Sequence, residues 1–155
     1  MVKLNPYLSF VDSAKDALNF YQSVLGGDLN ISTFGEMPSE EMPLPPEVND
    51  LVMHGSLETP NGLTIMAADT PPGMEYAAAT SGVTVALTGS SADTDYVAAA
   101  FEKLSDGASN VMPFEVAPWG DRYGALTDKF GISWMFDVGT PESEARWAEQ
   151  GGTPG

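Results

Sequence analysis

The period of apolar positions changes several times along the chain, and each change marks an element. LNPYLSFV at 4–11 is a short apolar run that predicts a strand. Asp12 and Ser13 suit a helix N-cap, and Ala14, Ala17, Leu18, Tyr21, Val24 and Leu25 then recur at helical spacing. Gly26-Gly27 stops that helix, and DLNISTF at 28–34 reads as a strand. EMPSEEMPLPPEVND at 36–50 holds four prolines and five acids, a composition no helix interior or central strand accepts, so a long loop is expected. LVMHGSLET at 51–59 and GLTIMAAD at 62–69 flank Pro60-Asn61-Gly62, and Asn-Gly between alternating runs signals a hairpin. A second loop, TPPGMEYAAAT at 70–80, closes the first half.

The second half repeats this order. GVTVALTG at 82–89 is a strand, and Asp93 to Leu104 is a helix with Val97, Ala100, Phe101 and Leu104 on one face, ending at Asp106-Gly107. SNVMPFEV at 109–116 is a strand that Pro113 interrupts or confines to an edge. RYGALTD and GISWMFDV form another hairpin around Lys129-Phe130-Gly131, a turn assigned no chemistry. A last helix is expected from Thr140-Pro141, with Glu142 and Glu144 in its favourable first turn. NGLTIMAAD and FGISWMFDV superpose with Gly62 on Gly131, Ile65 on Trp134 and Met66 on Met135. The expected fold is therefore α+β, a duplicated βαβββ unit: one domain over 1–140, with module one at about 1–75, module two at about 80–140, and a helix and tail at 141–155.

Composition narrows the chemistry. Hydrophobic residues make up 43% of the 155 positions and charged residues 18%, enough for a packed core. No apolar run reaches the ~18 residues of a membrane span, and MVKLNPYLSF lacks the signature of a secretory signal. Zero cysteines removes disulfides, thiolate nucleophiles and cysteine zinc sites, so a cytoplasmic protein is expected. Six Lys and Arg face 22 Asp and Glu, a net charge of −16, which repels nucleic acid and anionic membranes and accommodates a neutral or cationic small molecule. No P-loop, nucleophile elbow or Ser-His-Asp spacing is present.

PYLSF at 6–10, ALNFYQSVLGGDL at 17–29, MHGSL at 53–57 and YGALTDKFGISWMF at 123–136 resemble the vicinal oxygen chelate superfamily of glyoxalase I, bleomycin-resistance proteins and extradiol dioxygenases, and within it the PhnB-like branch. The resemblance implies two βαβββ modules forming one curved mixed sheet around a concave ligand site, helices outside, and a homodimer. Some PhnB-like chains carry a 3-demethylubiquinone methyltransferase label. The chain has no Gly-rich strand-to-helix loop with a following acid, so no methyl-donor site is expected. Metal-dependent members of the family use one His, Gln or Glu from each of the first, fourth, fifth and eighth strands. Here those positions correspond to Pro6, Met66, Thr84 and Met135. A thioether is a soft ligand, a lone hydroxyl is a poor one, and proline has no donor. No metal or other cofactor is expected.

Strand alternation then sorts the candidates. If Met66 faces the concavity, so do Thr64 and Ala68, while Leu63, Ile65 and Ala67 pack on the helix. In the preceding strand Leu51, Met53 and Leu57 form the helix-facing set, which turns Val52, His54, Ser56 and Glu58 toward the ligand. His54, the only histidine, is either a pocket acid-base group or a structural histidine satisfied by a neighbour. Trp119, Arg122 and Tyr123 precede the second hairpin. Arg122 suits a substrate carboxylate or an ion pair with Asp121 or Asp128, and the aromatics suit stacking or packing. Two functions follow: a metal-free binding protein for a small molecule, or a superfamily lyase, isomerase or transferase with a relocated metal or an acid-base site at His54 and Glu58.

Overall fold

A carboxylate distant in sequence sets where the first helix begins. In the computed structural model, which describes residues 2–36, 44–76 and 82–151, α1 (Ala14–Leu25) has no side-chain cap from Ser13. Asp69 takes that role: its Oδ1 accepts the Ala14 N–H at 2.9 Å, where the helix dipole favours negative charge. Oδ2 accepts the Val52 N–H at 2.9 Å. Asp69 closes β4 (Thr64–Asp69), and Val52 opens β3 (Val52–Glu58), so one buried carboxylate ties a helix to two strands. Burying a charge is costly unless it is bonded, and two charge-assisted bonds offset that cost here. The buried face of α1 is Ala14, Ala17, Leu18, Tyr21, Val24 and Leu25, the six positions that the spacing selects.

The structure divides into two compact units, residues 1–79 and 80–155. In unit one β1 (Tyr7–Phe10), β2 (Asp28–Thr33), β3 and β4 form an open mixed sheet in the order β1-β4-β3-β2. β1 runs parallel to β4, and the other neighbours are antiparallel. The backbone comes so close to α1 that a Cβ on Gly55 would collide with Leu18 Cδ1. Pro46–Val48 forms a short 3-10 turn whose Val48 is buried, while 37–43 of the expected loop, and 77–80 of the next one, lie outside the described residues.

One strand face differs from the alternation read in sequence. The β2–β3 register shifts between Ser32 and Thr33: Ser32 pairs with His54, and Thr33 with Val52. Met53 is thus the extra residue of a bulge, which breaks the period of two. Val52 is fully buried, and its Cγ1 lies on the side of Gly55 that faces Leu18. Val52, Gly55 and Leu57 form the helix-facing set, not Leu51, Met53 and Leu57.

Unit two repeats the plan with β5 (Val85–Gly89), α2 (Thr94–Leu104), β6 (Ser109–Val116), β7 (Arg122–Thr127) and β8 (Ser133–Val138), ordered β5-β8-β7-β6. Again the first and last strands are parallel and the others antiparallel. β6 is the edge strand, as Pro113 requires, and register shifts fall on both sides of Met112. Phe101 of α2 meets Phe136 edge-on at 5.2 Å between centroids, and Trp134 stacks on Phe136 at 6.3 Å. The two hairpins match at the backbone: Thr59 N–H donates to Leu63 O, and Asp128 N–H to Ile132 O. Buried Asp128 also accepts from the N–H groups of Phe130 and Ile132 and from Trp134 Nε1, at 2.9–3.0 Å.

α3 (Pro141–Glu149), the helix expected from Thr140-Pro141, falls within unit two. Thr140 caps it by accepting the Ser143 N–H. Glu144 accepts the Ser91 N–H at 2.6 Å and the Ser91 hydroxyl at 2.7 Å, anchoring α3 beside the start of α2. These bonds hold the Glu144 carboxyl below its ordinary range. No helix among the described residues is long and apolar enough to cross a membrane.

Candidate functional site

Each sheet has one face against its helix and a second face free of it. In unit one the register aligns Tyr7, Met66, Ser56 and Asn30 across all four strands on the second face. Thr64, Glu58 and Asp28 form a parallel row toward the hairpin end, and Ser32 and His54 pair beyond the first row. His54, Ser56, Glu58, Thr64 and Met66 therefore share a face. The Tyr7 hydroxyl reaches across β4 to lie 3.3 Å from His54 Nδ1, with ring centroids 5.8 Å apart. Both side chains are exposed. A phenol bonded to an imidazole nitrogen fixes the ring and offers a proton relay to a ligand on that face. Among the described residues Glu58 has no hydrogen bond to His54; the histidine's partner is Tyr7.

In unit two the equivalent face has one row of Ala86, Met135, Ala125 and Met112, and another of Thr88, Asp137, Tyr123 and Glu115. Trp119 packs edge-on against Tyr123 at 5.4 Å and remains half exposed. Met135, Tyr123 and Trp119 are thereby brought to one side. Asp137 faces Asp121: burial first, then the charge of Asp121 and a hydrogen bond that the protonated Asp137 carboxyl donates to it, push the Asp137 carboxyl above its ordinary range.

Arg122 does not join them. It pairs with Val138 and Val116, so it points to the side of the sheet where Val138, Phe136 and Trp134 are buried, opposite Tyr123. It lines a groove of about 690 Å³ with Val116, Gly139 and Thr140. It forms no ion pair with Asp121 or Asp128; Lys129 pairs with Asp106, and the Asp128 carboxylate serves the turn and Trp134. Grouping Trp119, Arg122 and Tyr123 by sequence proximity fails because consecutive strand residues face opposite ways.

The register also shows what stands beside the expected metal positions. Tyr7, not Pro6, sits opposite Met66, and the Pro6 carbonyl accepts the Met66 N–H at 3.1 Å. On β5 the residue opposite Met135 is Ala86; Thr84 precedes the strand. The donor set is then a phenol, two thioethers and a methyl. These groups do not fit a divalent ion of the hard, oxygen- and nitrogen-seeking kind. No cluster of three His, Asp or Glu capable of holding a metal occurs among the described residues. Sequence reasoning missed Tyr7 as a partner of His54; its signal was the one-residue offset from Pro6. It also missed the buried Asp69, whose partners lie on other elements.

The profile of the "Glyoxalase/Bleomycin resistance protein/Dioxygenase superfamily" matches residues 3–136. The Escherichia coli protein YjdN is 32% identical over 142 residues, covering 87% of this chain and 94% of its own. The crystal structure of PA1353 from Pseudomonas aeruginosa superposes with a TM-score of 0.75 at 29% identity, over 90% of this chain and 98% of that one. A putative 3-demethylubiquinone-9 3-methyltransferase, PhnB protein, from Bacillus cereus has the same fold, with a TM-score of 0.66 at 24% identity, over 88% of this chain and 99% of its own. With its duplicated βαβββ units, the chain belongs to the glyoxalase/bleomycin resistance protein/dioxygenase superfamily and has PhnB-like structural neighbours.

Proposed function

We propose that the protein is a binding protein that holds a small, largely apolar or cationic molecule against the helix-free face of a sheet, without a resident metal. The observation that carries this reading is the set of side chains paired at and beside the positions that the family resemblance marks for metal ligands: Tyr7 opposite Met66, and Ala86 opposite Met135. Thioethers and aromatics make an adaptable apolar wall rather than a coordination shell. The net charge of −16 supports a cationic partner, as in sequestration of a bleomycin-type drug, an analogy from fold and charge. The same charge supports a protein that binds neither nucleic acid nor anionic membrane. A cytoplasmic homodimer completes the proposal.

A second reading, an acid-base enzyme centred on His54, is favoured by the Tyr7–His54 contact of 3.3 Å. Titration of the intact protein with bleomycin and simple cationic aromatics, in the presence of EDTA, tests the first reading. Saturable binding that survives the chelator, weakens with moderate salt and is lost in Met66→Lys is the expected result. No binding across the panel, or binding only after a divalent ion is added, rejects it.

A further inference from the structure

The chain has two arginines against 22 acids, and both lie near the turn at Gly120 of unit two. Arg146 Nη1 donates to the Trp119 carbonyl at 3.4 Å, and its Nη2 lies 3.5 Å from where a Cβ on Gly120 would stand. Arg122, two residues beyond Gly120, lines the groove described above. Among the described residues it has no ion pair and no hydrogen bond. In a chain so rich in carboxylates, a guanidinium left without one is the exception. The groove volume of about 690 Å³ falls within the range of small-molecule sites.

The hydroxyls around it narrow the ligand. The Thr140 hydroxyl donates to the Gly120 carbonyl, the Ser91 hydroxyl to Glu144, and the Thr94 hydroxyl to the Ser91 carbonyl. Their protons are committed within the fold, which leaves Arg122 as the free side-chain donor of the groove. Ala92, Val116 and Pro141 supply an apolar wall, and Glu142 stands at the rim. A guanidinium takes a carboxylate through two parallel bonds. A second negative charge would meet Glu142 with no second lining cation.

We propose that this groove binds a small organic monocarboxylate, its carboxylate on Arg122 and its apolar body against Ala92, Val116 and Pro141. The site lies on the opposite side of the sheet from Tyr123 and Met135, so it is separate from the helix-free faces and is tested independently of them.

The test is an amide NMR titration of the intact protein at low salt with benzoate, against phenyl phosphate and benzamide. Benzoate should shift the Ser91, Gly139 and Glu142 amides saturably and bind more tightly than either comparison compound. Arg122→Gln should weaken it by roughly tenfold or more, the scale of one lost charge-assisted pair. Arg122→Lys, which keeps the charge and loses the fork, should weaken it less. Thermal melting checks that both variants fold, and Arg122→Lys alone decides if Arg122→Gln does not. The proposal is overturned if those amides do not respond, if affinity is unchanged in the variants, or if phenyl phosphate or benzamide binds as tightly as benzoate.

Discussion

Single carboxylates do most of the unexpected structural work in this molecule. Asp69 and Asp128 read in sequence as strand-end and turn residues, yet each is buried and accepts bonds from backbone groups. The donors to Asp69, the N–H groups of Ala14 and Val52, are legible only once α1 and β3 are in place, which is why sequence placed the helix cap on Asp12 or Ser13. Asp69→Asn turns one acceptor into an amine facing an N–H, and should destabilise the fold by about 2 kcal/mol, measured by denaturant unfolding. Two other carboxyls predict opposite pH slopes. Asp137 is raised in the folded state, so its stabilising contribution is present in acid and is lost as pH climbs above the ordinary aspartate value of about 3.9. Asp137→Asn should flatten that decline above roughly pH 4, by less than about 1 kcal/mol because solvent screens the pair. Glu144 is lowered, so its contribution is present above about 4.3, the ordinary glutamate value, and is lost as pH falls through its folded value. Glu144→Gln should remove that acid-side loss, seen as a smaller drop in melting temperature on acidification.

At the level of elements, the parts governed by local periodicity were legible and the parts governed by register were not. The helical spacing of Leu18, Tyr21 and Leu25, and the glycines at Gly62 and Gly131, are properties of contiguous sequence and gave the order strand, helix, three strands in each half. The bulge at Met53 depends on how β2 pairs with β3, so the face of Val52 came out reversed. His54, Ser56 and Glu58 lie beyond the bulge and kept their shared face. Arg122 and Tyr123 illustrate the same limit: adjacency in sequence put them together, and the pleat put them apart. The close approach of α1 to β3 gives a prediction at this scale. Gly55→Ala drives a methyl into Leu18 and should cost about 1–3 kcal/mol through overpacking, read as a lowered denaturation midpoint with an unchanged slope.

At the scale of the whole molecule, the offset that superposes Gly62 on Gly131 also superposes the hairpin bonds and the methionines Met66 and Met135. The repeat thus sets a thioether at the same strand position in each half. An excess of 16 negative charges draws cations to the surface, and among the described residues no cluster of three His, Asp or Glu is placed to hold a metal ion. Both features are what the proposed metal-free binding expects. The most direct measurement is elemental analysis of the protein purified without chelators and desalted. A content far below one divalent ion per chain is the expected result. One Zn, Ni, Mn or Fe per chain, surviving desalting, would contradict it.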